Sequence, residues 1–140
     1  MLKGISPLIP PELLYQLARM GHGDELVLSD IHFPAHSCNQ TVIQARGCEV
    51  SELAAAICEL IELDQYVPDK AVVMKTVGDD RYPEGLLDEY QRALPKGTEL
   101  YSVERFEFYD RTQSASCVVV TGTTRKYGNL LLKKGVTPTN

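Results

Sequence analysis

The fold follows from the stretch Leu26-Val27-Leu28-Ser29-Asp30, in which a short apolar run ends in two polar residues. The three apolar residues show no alternation with polar ones, which is typical of a strand buried on both faces of a sheet. Open α/β sheets of this kind bind their ligands at the carboxyl ends of their strands. We therefore expect a sheet covered by helices, with Ser29 and Asp30 at the edge where a ligand binds.

Strands and helices are predicted to alternate along most of the remaining chain. Helices are expected where apolar residues recur at helical spacing, or where proline or serine marks a first turn. They cover about residues 11–20, 51–63, 83–94 and 105–114, with Ser51 as the N-cap of the second. Further strands are expected at residues 41–43, 71–74, 100–103, 117–120 and 130–132. The alternation indicates the α/β class, as one three-layer α/β/α domain of residues 1–140 with a mostly parallel, mixed central sheet.

Composition narrows the possible partners. The 140 residues are 44% apolar and 24% charged, with a net charge of −5 and an isoelectric point of about 5.2. This acidity argues against nucleic acid or an anionic membrane as the main partner and favours a neutral or small polar ligand. No apolar run reaches membrane-spanning length and the first residues lack a signal-peptide core, so a cytoplasmic location is expected. The four cysteines form no Cys-x-x-Cys pair and are expected to be free thiols.

His22 is the first candidate for chemistry. It lies between two glycines just after the first predicted helix, which Gly21 is expected to cap with a positive φ. The negative end of the helix dipole would stabilise an imidazolium there, so that His22 could act as a general acid. The alternative is a histidine that only caps the free carbonyls of the helix.

Asp30 and the other two histidines lie on the far side of the first strand. Asp30 could accept hydrogen bonds from ligand hydroxyls or orient a histidine; the alternative is a turn aspartate that caps its own backbone. His32 and His36 have a spacing that suits a metal on a helix, but Pro34 lies between them. We expect a polar loop there, with packing or ligand contacts for the two histidines and no metal.

A second polar cluster lies near the C-terminus. Arg105 and Tyr109 are one helical turn apart and could face the same side. Tyr127 and Asn129 flank Gly128 at the start of the last strand, where strand alternation would point both to one face. Together these side chains could bind a polyhydroxylated ligand, with an aromatic ring against its apolar face. Any one of them alone could equally belong to an ordinary surface.

Known nucleotide and hydrolase motifs are absent from the sequence. Gly21-x-Gly23 lacks the third glycine of a dinucleotide fingerprint, since Leu26 occupies that place, and it follows a helix instead of a strand. The chain has no Walker loop and no Gly-x-Ser-x-Gly elbow.

Several motifs are recognisable when they are taken together. In the first half they are Leu2-Lys3, Ser6-Pro7, Pro11-Glu12-Leu13-Leu14, Met20-Gly21-His22-Gly23-Asp24-Glu25, Ser29-Asp30 and His32-Phe33-Pro34-Ala35-His36. In the second half they are Arg105-Phe106-Glu107-Phe108-Tyr109-Asp110-Arg111, Thr121-Gly122, Tyr127-Gly128-Asn129 and Leu131-Leu132-Lys133-Lys134-Gly135. With these motifs the chain resembles the family of sugar mutarotases that contains the fucose mutarotases and the ribose pyranases. The segment from about residue 64 to residue 100 carries none of them.

The resemblance implies an isomerase without cofactor or metal that interconverts the α and β anomers of a free sugar. It implies His22 as the catalytic residue and Asp30, Arg105 and Tyr127-Gly128-Asn129 as sugar-binding positions. Arg105 and Gly128 favour L-fucose as the substrate, because the ribose branch typically has histidine and alanine there. The family also implies a homo-oligomer, typically a decameric ring with sites at subunit boundaries.

The resulting hypothesis has His22 give a proton to the ring oxygen of the sugar, while Asp30 holds the sugar and tunes His22. Arg105, Tyr127 and Asn129 would bind hydroxyls, and Tyr109 would support the wall of the site. The proton acceptor is left open, with water as one candidate. The alternatives are D-ribose pyranase activity, a non-catalytic sugar-binding protein, and a metal-dependent isomerase or hydrolase built on the histidines and Asp30.

Overall fold

The computed structural model describes residues 1–139, and within them six strands form one sheet. The strands are β1 (Glu25–Ser29), β2 (Val42–Ala45), β3 (Ala71–Met74), β4 (Tyr101–Val103), β5 (Cys117–Thr121) and β6 (Leu130–Lys133). The helices are α1 (Pro11–Arg19), α2 (Ala35–Cys38), α3 (Val50–Cys58), α4 (Leu86–Ala93) and α5 (Arg105–Ser114).

The sheet is mixed and mostly parallel, as predicted. Its strand order is β2-β5-β1-β6-β3-β4. β1 and β2 both run parallel to β5, and β3 runs parallel to β4, whereas β6 is antiparallel to both of its neighbours. The apolar run of β1 lies at the centre of the sheet and is fully buried. The prediction that this run forms a strand buried on both faces of a sheet is confirmed.

Helices cover both faces of the sheet, which confirms the three-layer α/β/α class. Leu26 and Leu28 of β1 pack in one core with α1, α3 and α4. Val27 points to the other face and packs in a second core with α2 and α5, where Phe108 is its largest buried partner. Successive side chains of a strand point to opposite faces, so an unbroken apolar strand requires this double cover.

Two predicted helix caps are wrong. α1 ends at Arg19 with an extended Met20, and the positive φ occurs at Gly23 (+88°) instead of Gly21. α3 begins at Val50 with Glu49 as its N-cap, because Glu49 and Glu52 form a reciprocal capping box. The Ser51 hydroxyl instead donates to a carboxylate oxygen of Glu89 on α4, at 2.5 Å.

Three other boundaries also differ from the prediction. α3 ends at Cys58, and Leu63 forms an isolated bridge to Lys134 beside the sheet, so the helix cannot reach it. α4 begins at Leu86 because Gly85 precedes it in a left-handed conformation, with φ of +77°. The loop expected around Pro34 contains the short helix α2, and Phe33 and Ala35 are buried there.

Arg125 ties the loop between β5 and β6 to two helices. Its guanidinium donates to Glu89 at 2.8 and 3.1 Å and to Glu49 at 3.1 Å. The hydrogen bonds from Arg125 and from Ser51 lower the pKa of Glu89 to about 2. This network fixes the base of the loop that continues into Tyr127-Gly128-Asn129. None of the helices within residues 1–139 combines the length and apolar character needed to span a membrane.

Candidate functional site

An open cavity of about 410 Å³ lies beyond the carboxyl end of β1. It lies at the edge of the sheet where the sequence predicts that a ligand binds. Five of the predicted site residues line it, namely Asp30, Arg105, Tyr109, Tyr127 and Asn129. They come from three separate segments: the end of β1, the first two turns of α5 and the loop before β6.

Asp30 lies at the back of this cavity and is only 2% exposed. One carboxylate oxygen accepts the amide of His32 at 2.9 Å, and the other accepts the amide of Gly128 at 3.1 Å. Its own amide donates to the side-chain oxygen of Asn129 at 3.0 Å. Burial raises the pKa of Asp30, although these backbone hydrogen bonds oppose that rise. Asp30 therefore caps its own turn and also presents a carboxylate to the cavity.

Gly128 is the residue that allows this contact. A Cβ at this position would lie 2.8 Å from the carbonyl oxygen of Arg125 and 3.4 Å from the Cβ of Asp30. A side chain here would therefore force the carbonyl of Arg125 to shift within the loop that donates to Asp30. Gly128 therefore contributes its backbone amide and its small size to the site, and it offers no side chain to a ligand.

Tyr127 reaches the cavity from a turn. Its φ is +61°, in the left-handed region that residues other than glycine rarely adopt. Tyr127 and Asn129 precede the first residue of β6, so the expectation that strand alternation aligns them is wrong. The turn, held by the contacts of Gly128 and Asn129 to Asp30, brings both side chains to the cavity.

Asp80, which sequence reasoning missed, holds the phenol of Tyr127. The hydroxyl of Tyr127 donates to Asp80 at 2.7 Å and accepts the amide of Val77 at 3.0 Å. Lys126 also binds Asp80, at 3.1 Å. The hydrogen bonds from Tyr127 and Lys126 lower the pKa of Asp80, which keeps it ionised. Asp80 and Val77 lie in the loop after β3 and line the cavity themselves.

Arg105 and Tyr109 form another wall of the cavity. The guanidinium carbon of Arg105 lies 4.6 Å from the ring centre of Phe106, and its buried Nε has no hydrogen-bond partner within residues 1–139. A buried donor without a partner costs free energy, so this nitrogen favours a ligand that supplies an acceptor. The Tyr109 ring packs edge-on against Phe33 at 5.6 Å, and burial raises the pKa of its hydroxyl.

His22 lies at the opposite end of β1 from this cavity. The five residues of β1 separate it from Asp30 by about 17 Å of extended chain. Its Nε2 lies 3.0 Å from a carboxylate oxygen of Asp64, and 46% of its side chain is exposed. Within one chain, therefore, Asp30 does not tune His22, and the carboxylate that contacts His22 is Asp64. Among residues 1–139 the side chain of His22 makes its hydrogen bond to Asp64 and makes none to a carbonyl of α1.

His32 and His36 do not share a helix face. Pro34 is the N-cap of α2, so His32 lies outside that helix, where its ring contacts the carbonyl oxygen of Thr124 at 3.0 Å. His32 borders the cavity, whereas His36 lines a separate groove. No group of three or more histidine, cysteine, aspartate or glutamate side chains in residues 1–139 is arranged to hold a metal ion.

Comparison with known proteins identifies the family. The model of the RbsD / FucU transport protein family matches residues 3–137. The chain belongs to this family.

Particular relatives are similar over their whole length. An L-fucose mutarotase of Actinobacillus pleuropneumoniae is 51% identical over 142 aligned positions, which cover 99% of each chain. The crystal structure of the fucose mutarotase of Streptococcus pneumoniae in complex with L-fucose is 36% identical and superposes with a TM-score of 0.91, covering 98% of this chain and 100% of that one. RbsD of Bacillus subtilis complexed with D-ribose shares the fold, with a TM-score of 0.79 at 21% identity over 99% and 100% of the two chains.

Proposed function

We propose that this protein is an isomerase that interconverts the α and β anomers of free L-fucose and so acts in carbohydrate metabolism. The observation that carries the proposal is the cavity in which a buried carboxylate, an unpaired guanidinium Nε, a phenol and an amide converge. The similarity to fucose mutarotases over the full length supports it. L-Fucose is favoured over D-ribose because the ribose-bound relative is only 21% identical and supports the fold alone.

The cavity residues suit the parts of a sugar. Asp30 accepts hydrogen bonds from hydroxyls and Arg105 donates to them, while Tyr127 and Asn129 offer further polar groups. Tyr109 provides an aromatic wall for the apolar side of the ring. Burial keeps Asp30 a stronger base than an exposed aspartate, which suits it to receive the proton of the anomeric hydroxyl.

The reaction needs a proton donor as well. When the bond between the anomeric carbon and the ring oxygen breaks, the ring oxygen gains a proton and the anomeric hydroxyl loses one, giving the open-chain aldehyde. Rotation of the aldehyde followed by the reverse steps yields the other anomer. We assign the donor role to His22, whose position requires that it enter the cavity of another copy of the chain.

A homo-oligomer with sites at its subunit boundaries is therefore part of the proposal. The decameric ring is the assembly that the family resemblance favours, and light scattering coupled to size-exclusion chromatography measures its size. The cytoplasmic location expected from the sequence also stays a prediction.

The proposal is tested by saturation-transfer NMR on the anomeric protons of L-fucose, D-galactose and D-ribose. We expect the protein to accelerate anomer exchange of L-fucose most. Binding of L-fucose without accelerated exchange would support a sugar-binding protein instead. Faster interconversion of ribose pyranose and furanose than of the fucose anomers would support a pyranase. Activity that chelation abolishes would support a metal enzyme.

Replacing the carboxylate that holds Tyr127 should weaken sugar binding. In Asp80→Asn the phenol loses a charged acceptor, so we expect KM for L-fucose to rise about 3- to 10-fold while kcat stays near the wild-type value. Asp79→Asn is the matched control, because it removes the neighbouring charge and leaves the hydrogen bond from Tyr127 to Asp80 in place. Equal KM values for the two variants would show that the contact does not position Tyr127.

A further inference from the structure

We infer that Phe106 is a positioning residue whose ring holds the guanidinium of Arg105 at the cavity wall and leaves its terminal N–H groups free for a sugar. The inference rests on the proposed function, in which Arg105 donates hydrogen bonds to hydroxyls of L-fucose. Phe106 is the second residue of α5 and is 59% exposed, so packing in the core does not account for its position.

No acidic side chain holds Arg105. Within residues 1–139 its guanidinium forms no ion pair, and its buried Nε has no hydrogen-bond partner. The adjacent acid, Glu104, is the N-cap of α5, and its carboxylate accepts the amides of Phe106 at 2.8 Å and Glu107 at 3.2 Å. A long side chain without a partner loses many rotamers when a ligand binds. The direction of Arg105 therefore depends on its contact with a neighbouring ring.

The ring of Phe106 supplies this contact. The guanidinium carbon of Arg105 lies 4.6 Å from the ring centre, within the range of a cation–π interaction. Successive residues of a helix point about 100° apart, so the arginine bends across the ring to reach this position. Stacking on an aromatic face orients a guanidinium and leaves its N–H groups unused, whereas a carboxylate would accept from one or two of them. The terminal N–H groups of Arg105 therefore remain available to a ligand.

Further contacts fix the Phe106 ring itself. It lies edge-on against Tyr109, one helical turn later, with ring centres 6.1 Å apart. Tyr109 in turn packs against Phe33, which is 9% exposed and belongs to the core that contains α2 and α5. On the other side, the N-cap Glu104 holds the backbone amide of Phe106. The ring that orients Arg105 is thus tied to the core of the fold.

The experiment combines NMR of the protein labelled with ¹³C,¹⁵N-arginine and kinetics of L-fucose exchange. In the wild type without sugar we expect ring-current shifts on Hδ and Hε of Arg105, which are assigned from their absence in Arg105→Lys. Phe106→Leu should lose these shifts, and its KM should rise about 2- to 5-fold with kcat little changed, which is the contribution of an exposed cation–π contact. Phe106→Tyr keeps a ring and should retain the shifts and the KM of the wild type.

Tyr15→Leu is the matched control. Tyr15 is 60% exposed and carries the guanidinium carbon of Arg19 at 5.3 Å from its ring centre. This pair lies on α1, which packs on the opposite face of the sheet from α5. The variant removes an equally exposed ring from beneath an arginine that is remote from the cavity. Its KM for L-fucose should therefore equal that of the wild type.

A double variant tests whether Phe106 acts through Arg105. In Arg105→Ala the ring has no guanidinium to orient, so adding Phe106→Leu should not weaken L-fucose binding further. Titration calorimetry with L-fucose measures this binding without the need for catalysis. An additional loss in the double variant would show that Phe106 supports the fold or the assembly instead, and would overturn the inference.

The remaining outcomes separate the inference from the proposed function. Arg105 resonances without ring-current shifts in the wild type, or equal KM values for Phe106→Leu and Phe106→Tyr, would overturn the role of Phe106. If Phe106→Leu fails to assemble, the shifts of the wild-type protein still decide the question. Shifted Arg105 resonances in a protein that does not accelerate anomer exchange would overturn the proposed function and leave the stack of Arg105 on Phe106 in place.

Discussion

His22→Ala should lower the rate of L-fucose anomer exchange by about 10²- to 10⁴-fold, which is the usual contribution of one positioned acid or base. Arg105→Ala should also lose most activity, because it removes the guanidinium that faces the cavity. Polarimetry or saturation-transfer NMR measures both effects. Exchange near the wild-type rate in His22→Ala would remove this residue from the proton transfer.

Mixing the two inactive variants should restore activity. His22 and the cavity lie at opposite ends of β1, so the proposed function requires His22 from one copy and Arg105 from another. If the subunits assemble at random from equal amounts, about a quarter of the sites should contain both intact residues. Co-expression with two different affinity tags allows mixed oligomers to be purified and assayed.

The control for this mixture is His22→Ala combined with the double variant His22→Ala/Arg105→Ala. These oligomers contain no intact His22 and should stay inactive. If mixed oligomers of the two single variants are isolated and show no recovery, His22 and the cavity do not form one site.

Gly122→Ala should be strongly destabilising. A Cβ on Gly122 would lie 2.1 Å from the carbonyl oxygen of Arg46 and 3.0 Å from its carbonyl carbon. The amide of Gly122 also donates to the carbonyl of Cys48 at 2.9 Å, so the backbone cannot shift without breaking this hydrogen bond. We expect the free energy of unfolding to fall by about 3 kcal/mol or more. Urea denaturation measures it at a fixed protein concentration, which keeps the contribution of the proposed assembly to stability constant.

Gly47→Ala is the matched control. Gly47 follows Arg46 and does not adopt a left-handed φ, and a Cβ added to it would meet no atom within 4 Å beyond its chain neighbours. Its free energy of unfolding should stay within about 0.5 kcal/mol of the wild type. A loss in Gly122→Ala as small as that in Gly47→Ala would show that the β2 and β5 ends move apart at little cost.

The central layer of the fold could be predicted because its strands carry their own signal. Val118 and Val119 of β5, like the leucines of β1, belong to unbroken apolar runs that only a doubly covered strand explains. The cap of α3 could not be predicted from residue type, since serine is the better N-cap by type and only the hydrogen-bond partners of Glu49 and Ser51 show that Glu49 takes this role.

Less of the candidate site than of the fold could be predicted from the sequence. Asp64 and Asp80 contact His22 and Tyr127 across 42 and 47 residues of sequence, and no local pattern marks either aspartate. For His22 and Asp30 the error is the reverse, because two residues that are close in sequence were predicted to act together. The strand between them is extended, so a separation of eight residues places them at opposite ends of β1.

The distance between His22 and the cavity also determines at which stage of assembly the protein becomes active. If His22 is the proton donor, a single folded chain carries the donor at one end of β1 and the sugar-binding cavity at the other. Such a chain cannot catalyse the reaction alone. Turnover then depends on the fraction of the protein that has associated. Dilution below the dissociation constant of the assembly should therefore abolish activity while the fold of each chain stays intact. The rate per subunit would rise with protein concentration until association is complete.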